Sequence, residues 1–421
     1  MTSARRALLL PVLALATLWA LAGAPGAAAA PWCGTTSTAD RPATVAGHQI
    51  RVVYATAANG ADRSAEWAPR ISADVDQIET WWQSQDSSRT PRFDRASFPC
   101  GAQADIRLLV LPVEEAALLD GASTFDAVEA AAATLGGSPD DVKVLVYLDV
   151  PAADANLCGQ GGGSFTGAGL AIVYVRACAG VSAAPVAAHE LLHAFGALPA
   201  SGPPHACPGD DGHPCDSSGD ILYPYAQPAD LSAFALDVGR DDYYAHGGTW
   251  VDMRDSKWLR HLDAQVPVVL VVRGGGSVAS AVPGIACGAS CTTSWDDGSA
   301  LALTATPAAG QRFVRWGGVC TGGGPCFATL SGATSVTALF APPTYRLSVA
   351  VSGRGRVVAA RVSCPARCAA PEPSYAALEV RALAAAGWRF ARWSGACAGQ
   401  RPRCRVPMSA DTVARALFVR R

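Results

Sequence analysis

The 421-residue chain has almost no net charge and almost no lysine. Its 33 basic and 35 acidic residues leave a formal charge of −2, so no basic surplus marks nucleic acid or a charged membrane as a partner. Lys143 and Lys257 are the only lysines; arginine supplies the rest of the positive charge. With abundant alanine and glycine, this is the residue usage of a GC-rich bacterial genome. The 14 cysteines contain no C-x-x-C pair, which excludes a zinc ribbon. Beyond residue 30 no apolar run is long enough to span a bilayer.

The one long apolar run opens the chain. Arg5-Arg6 precede a stretch from Ala7 to Leu21, then Gly23-Ala24-Pro25-Gly26 and the alanines ending at Ala30. That pattern predicts a signal peptide over 1–30, cleaved near Pro31, and a secreted product without a membrane span. An even number of cysteines in an exported chain implies disulfides. The length left after cleavage exceeds one core and predicts two or three domains.

Residues near 48–262 read as one α+β unit. His48 to Thr56, Ala104 to Leu111, Val142 to Leu148 and Leu170 to Val175 have strand character. Trp67 to Gln85 and Phe125 to Leu135 have helical spacing, and a glycine cluster at 159–163 leads into the last strand. Alternating strands and helices predict a mixed, twisted sheet with the following helix packed beneath it.

From residue 265 onward the pattern changes to short strands and turns, and an internal repeat appears. Cys287, Cys291, Gly310, Phe313, Trp316 and Cys320 recur 77 positions later as Cys364, Cys368, Gly387, Phe390, Trp393 and Cys397. Cys326 and Phe340 recur as Cys404 and Phe418 after 78. The copies span 265–342 and 343–421, joined at Ala341-Pro342-Pro343-Thr344. Close spacing pairs Cys287 with Cys291, Cys320 with Cys326, Cys364 with Cys368 and Cys397 with Cys404. The six cysteines left to the first unit are expected to pair as Cys33–Cys100, Cys158–Cys178 and Cys207–Cys215. Trp316 and Trp393 have the apolar flanks of core residues rather than of a sugar-stacking surface.

Chemistry concentrates in His189-Glu190-Leu191-Leu192-His193. On a helix, positions i and i+4 share a face, so both imidazoles can reach one metal ion, with Glu190 beside it as a base. Ala183 to Ala194 is apolar except for these three residues, and a buried helix carrying two imidazoles and a carboxylate needs a partner for them. Zinc is that partner: it takes three protein ligands and a water in hydrolytic sites. The metzincin extension H-E-x-x-H-x-x-G-x-x-H keeps its glycine here, Gly196, but its third histidine position is Pro199. The third ligand therefore comes from further on, within 205–216.

Taken whole, H-E-L-L-H-A-F-G-A-L-P and then G-H-P-C-D-S-S-G-D-I-L-Y-P resemble a group of exported actinobacterial zincin-like proteins. The resemblance runs on through Leu236 to Tyr244 and Asp255 to Leu259, and covers most of 160–262. It implies a zincin-like, metzincin-related metallopeptidase domain over 31–264. His213 is the first choice as third ligand, being an imidazole, with Asp216 and then His205 behind it. Leu222 falls where metzincins carry the methionine below the metal, and Tyr223 follows it. Leu170 to Val175 is expected to form the sheet edge that receives a peptide. No loop consensus supports calcium at Asp210, Asp211 and Asp216. The two copies resemble the divergent, internalin B-repeat-like domains appended to bacterial surface proteins.

The expected architecture is thus an α+β zincin-like domain followed by two small all-β repeats. The expected function is zinc-dependent endopeptidase, with His189, His193 and His213 on Zn2+ and Glu190 as the catalytic base. Its partners would be a protein or peptide substrate and a cell surface or cell wall contacted through the repeats. Two alternatives stay open: a non-catalytic zincin-like binding protein, and a surface adhesin acting through the repeats.

Overall fold

The computed structural model describes residues 32–421 apart from 119–120, 136–141, 153, 155, 179, 198–203, 226 and 375–376. The expected signal peptide and Pro199 lie outside the described residues.

The first unit begins with β1 (Ile50–Thr56), α1 (Ser64–Gln85), β2 (Arg89–Pro91), β3 (Arg95–Phe98), β4 (Gly101–Ala104) and β5 (Ile106–Val110). It continues with α2 (Gly121–Ala132), β6 (Lys143–Leu148), β7 (Gly159–Gly163), β8 (Gly169–Tyr174) and α3 (Ala183–Phe195). Five strands make one sheet in the order β5-β1-β6-β8-β7. The first four are parallel, and β7 runs antiparallel to β8 at the edge. A parallel strand covered on both faces reads as a continuous apolar run, as Lys143–Leu148 nearly does, with all six residues buried.

Alternation along the strands splits the interior in two. Val52, Tyr54, Leu145, Tyr147, Ala171 and Val173 face α1 and α3, where they meet Ile71, Val75, Ile78, Trp82, Leu192 and Phe195. Val53, Val144, Val146, Leu148, Leu170 and Ile172 face the other way, against Val128, Ala131 and Ala132 of α2. Burying each Val, Ile, Leu or Phe contributes about 1.5–3 kcal/mol, so these two layers hold the sheet between its helices. A hairpin of β9 (Ala206–Cys207) and β10 (Asp210–Pro214) follows α3, and β11 (Leu259–His261) closes the unit by pairing with β2.

The two lysines meet at one place. Lys143 is fully buried, with Nζ donating to the carbonyls of Ser164 at 2.5 Å and Ala168 at 3.2 Å. Both ammonium groups approach the buried indole of Trp258, Lys143 to 4.4 Å and Lys257 to 4.5 Å. Burial, reinforced by the charge of Lys257, lowers the Lys143 pKa to about 7.

Each repeat is a pair of four-stranded sheets. The first contains β12 (Gln265–Arg273), β13 (Gly276–Ser280), β14 (Ala286–Cys287), β15 (Cys291–Asp296), β16 (Ala300–Pro307), β17 (Arg312–Gly318), β18 (Cys326–Thr329) and β19 (Thr334–Ala341). Their orders are β15-β12-β19-β17 and β14-β13-β16-β18, and the second copy from Thr344 to Arg420 repeats both. Trp316 and Trp393 are buried in the two cores, at 2% and 3% exposure. All 14 cysteines are paired, in the seven disulfides expected above, including Cys33–Cys100, whose separation of 67 residues gives no spacing signal. Seven disulfides mark a chain matured in an oxidising compartment. No helix among the described residues is long and apolar enough to cross a membrane.

The first repeat is joined to the first unit by a buried charge pair. Arg92 donates to the carbonyls of Ala46 at 2.6 Å and Leu259 at 2.8 Å, and forms an ion pair with Asp296. Gly47 donates to the carbonyl of Pro283, and Ala46 packs into the repeat core.

Candidate metal centre

Helix α3 carries the motif because its buried stripe fixes its rotation. Ala184, Ala187, Ala188, Leu191, Leu192, Ala194 and Phe195 are buried, and this leaves His189, Glu190 and His193 turned to the cleft side. Gly196 ends the helix in the left-handed region at φ 87°, and the bonds from Gly196 to His193 and from Ala197 to Leu192 satisfy the last carbonyls. A side chain there would also strike the backbone of Phe165 at 2.6 Å.

Three imidazoles converge. The Nε2 atoms of His189 and His193 are 3.2 Å apart, those of His193 and His213 are 3.2 Å apart, and those of His213 and His189 are 3.3 Å apart. Three nitrogens held about 2.0–2.1 Å from a tetrahedral metal stand about 3.3 Å apart, so this triangle has the dimensions of a metal's ligand face. Two of the rings are committed on their far side. His189 Nδ1 is 2.7 Å from the carbonyl of Ile221, and His213 Nδ1 is 2.9 Å from the Asp210 carboxylate. Those partners take the ring proton and turn each Nε2 lone pair inward. Burial lowers His189 to about 4, against the pull of the Ile221 carbonyl, and holds His193 well below the ordinary imidazole range. The His189 and His193 rings are therefore neutral, the form that binds metal.

Glu190 is 7% exposed and stands against β7: a Cβ built on Gly159 would lie 2.6 Å from its Oε1. Burial pushes its pKa up to about 8. The triangle and Glu190 line a cleft of about 480 Å³ whose other walls include Gly159, Gln160 and Gly161 of β7, Pro185 and Val186 of α3, and Tyr223 and Tyr225.

Of the candidates for third position, His213 joins the two helix histidines on the β10 strand, whose hairpin Cys207–Cys215 closes. Asp216 and His205 do not. They gather with Asp241 and Asp242 in a separate cluster, where Asp242 accepts from the His205 backbone N–H at 3.1 Å. Leu222 is fully buried in the core beside α3, and Asp220 holds that turn by accepting from the N–H groups of Leu222 and Val238. Tyr223 is half-buried at the cleft, its ring 5.8 Å from that of Tyr225.

One expectation is corrected. The sheet edge is not Leu170 to Val175, which forms the inner strand β8, but the glycine run of β7 outside it. Strand propensity counts against glycine, but at Gly159, Gly161 and Gly163, whose faces turn to α3, no other residue fits. A Cβ on Gly161 would lie 2.5 Å from the Glu190 carbonyl and 2.7 Å from His193 Cβ, and one on Gly163 would lie 2.3 Å from the Ala194 carbonyl. Asp210 and the Ile221 carbonyl also escape sequence reading. Asp210 precedes His213 by three residues on an irregular hairpin, where no periodicity announces a partner.

Residues 271–344 match the divergent InlB B-repeat domain family. That match covers the first copy. No curated protein matches the chain. Among solved structures, the major pilin protein (T-13) from Streptococcus pyogenes serotype GAS131465 aligns at 6% identity. The alignment covers 37% of this chain and 96% of that chain, with a TM-score of 0.16, too loose to define a common fold.

Proposed function

We propose that the first unit is a zincin-like, zinc-dependent endopeptidase acting on proteins or peptides outside the cell. The observation that carries this reading is the triangle of Nε2 atoms, 3.2–3.3 Å on a side, with Glu190 next to it in the same cleft. His189, His193 and His213 would hold the metal. Zinc, when bound, supplies a Lewis acid for the scissile carbonyl and acidifies water. Glu190 takes a proton from the attacking water and returns it to the departing amine. On the outer side of β7 no strand pairs with it among the described residues, so its backbone edge can align an extended peptide across the cleft by strand addition.

The test is cleavage of a quenched-peptide library by the full chain beside Glu190→Gln, with zinc content measured on both. One zinc in each, and turnover reduced about 10²–10⁴-fold in the variant, supports the reading. Zinc in both and no cleavage by either rejects the peptidase in favour of a metal-holding binding domain.

A further inference from the structure

The two repeats share a fold and differ in charge. Residues 343–421 carry 14 arginines against Glu372, Glu379 and Asp411, a net of +11. Residues 265–342 carry Arg273, Arg312 and Arg315 against Asp296 and Asp297, a net of +1. Residues 31–264 carry 14 basic and 30 acidic residues, a net of −16. The near-neutral total, which taken alone speaks against an anionic partner, averages two strongly charged ends.

Register puts several of the arginines on one face. In the second copy, Arg381 of Leu378–Ala384 stands opposite Arg403, Glu379 opposite Arg405, and Leu383 opposite Arg356. The alternate residues Val380, Ala382, Val357 and Val406 are buried, so Arg356, Arg381, Arg403 and Arg405 stand exposed on the outside. Among the described residues the ion pair in this group is Arg381 with Glu379. Arg401, Arg403 and Arg405 line a groove of about 390 Å³ with Glu379 and Pro402. The opposite sheet adds exposed Arg389, Arg392 and Arg415.

Like charges directly opposed across a sheet destabilise it, so the Arg381–Arg403 pair works against folding. The fold does without them: the first copy has Ser277, Thr304, Pro325 and Phe327 at the matching ladder positions. Composition does not account for the difference either, since both copies belong to one chain. What remains is recognition of negative charge. Guanidinium groups pair with phosphate through two parallel hydrogen bonds. No aromatic side chain of the second copy is exposed among the described residues, which removes the stacking platform that single-stranded nucleic acid uses.

We propose that residues 343–421 form a polyanion-binding module whose arginine face takes a linear, phosphate-bearing surface polymer. This deepens the cell-surface reading of the repeats and is independent of catalysis. The test uses the full chain carrying Glu190→Gln, with long-chain inorganic polyphosphate as probe, at two or more salt concentrations. Double-stranded DNA and anionic lipid vesicles serve as competing probes at equal phosphate.

The expected result is binding that weakens with salt. Arg381→Ala/Arg403→Ala/Arg405→Ala should lower affinity at least tenfold and reduce the log–log salt slope by about 2, from the release of fewer counterions. The Lys triple at the same positions keeps the charge but not the paired hydrogen bonds, so it should keep the parent's salt slope and bind between the parent and the Ala triple, and it guards against a folding defect in the latter. No binding to polyphosphate at low salt, or equal binding by a folded Ala triple, overturns the proposal. Tighter binding to DNA or to vesicles overturns the choice of a surface polymer.

Discussion

Asp210 decides how firmly the third imidazole is held. Its carboxylate is 2.9 Å from His213 Nδ1, and His213 stands on a short hairpin rather than on the helix that carries the other two. Such outer partners typically change metal affinity 10–100-fold. Asp210→Asn is therefore expected to weaken zinc binding by that factor with the fold intact, measured by competition with a chromophoric chelator. At this scale the sequence is legible where periodicity operates. His189, Glu190 and His193 declare themselves because one helical turn brings i and i+4 together. His213 needed a resemblance to single it out, and Asp210 had no signal of its own.

At the scale of elements, the sheet and helices of the first unit follow the hydrophobic pattern closely, and β7 is the exception. Its five residues are four glycines and Gln160, a composition that predicts a loop. The strand forms because β8 supplies a ladder and α3 lies too close for any side chain between them. Gly161→Ala puts a methyl group into backbone and His193 at once. It should destabilise the protein by about 1–3 kcal/mol, the usual range for overpacking, and lower the affinity for zinc. Thermal melting and metal titration of the variant check both; an unchanged melting temperature would mean that the helix can retreat from β7 without loss.

The whole molecule is less divisible than the composition change at residue 265 suggests. Arg92 and Asp296, 204 residues apart, are paired with side chains only 5% and 6% exposed, across the junction between the first unit and the first repeat. Removing one member of a buried pair typically costs about 3–5 kcal/mol, because the other charge stays behind. Asp296→Ala should show a loss of that size in denaturant unfolding, and a chain ending at 264 should be less stable still. Equal stability of the full chain and its Asp296→Ala variant would show that water reaches Arg92. The change of character at 265 is visible as a shift from mixed to short-strand pattern, but a contact between residues so distant in sequence leaves no local trace.

The two lysines give the molecule a practical property. Lys143 is enclosed, bound to two carbonyls, and its neighbour Lys257 stands half-buried on the other approach to Trp258. Amine-directed reagents thus find a single side chain with solvent access in the native protein. A dye or a surface linkage placed there would sit at one defined point, a few ångströms from a tryptophan, and would report on the junction between β6 and the last turn of the first unit without touching the histidine cleft.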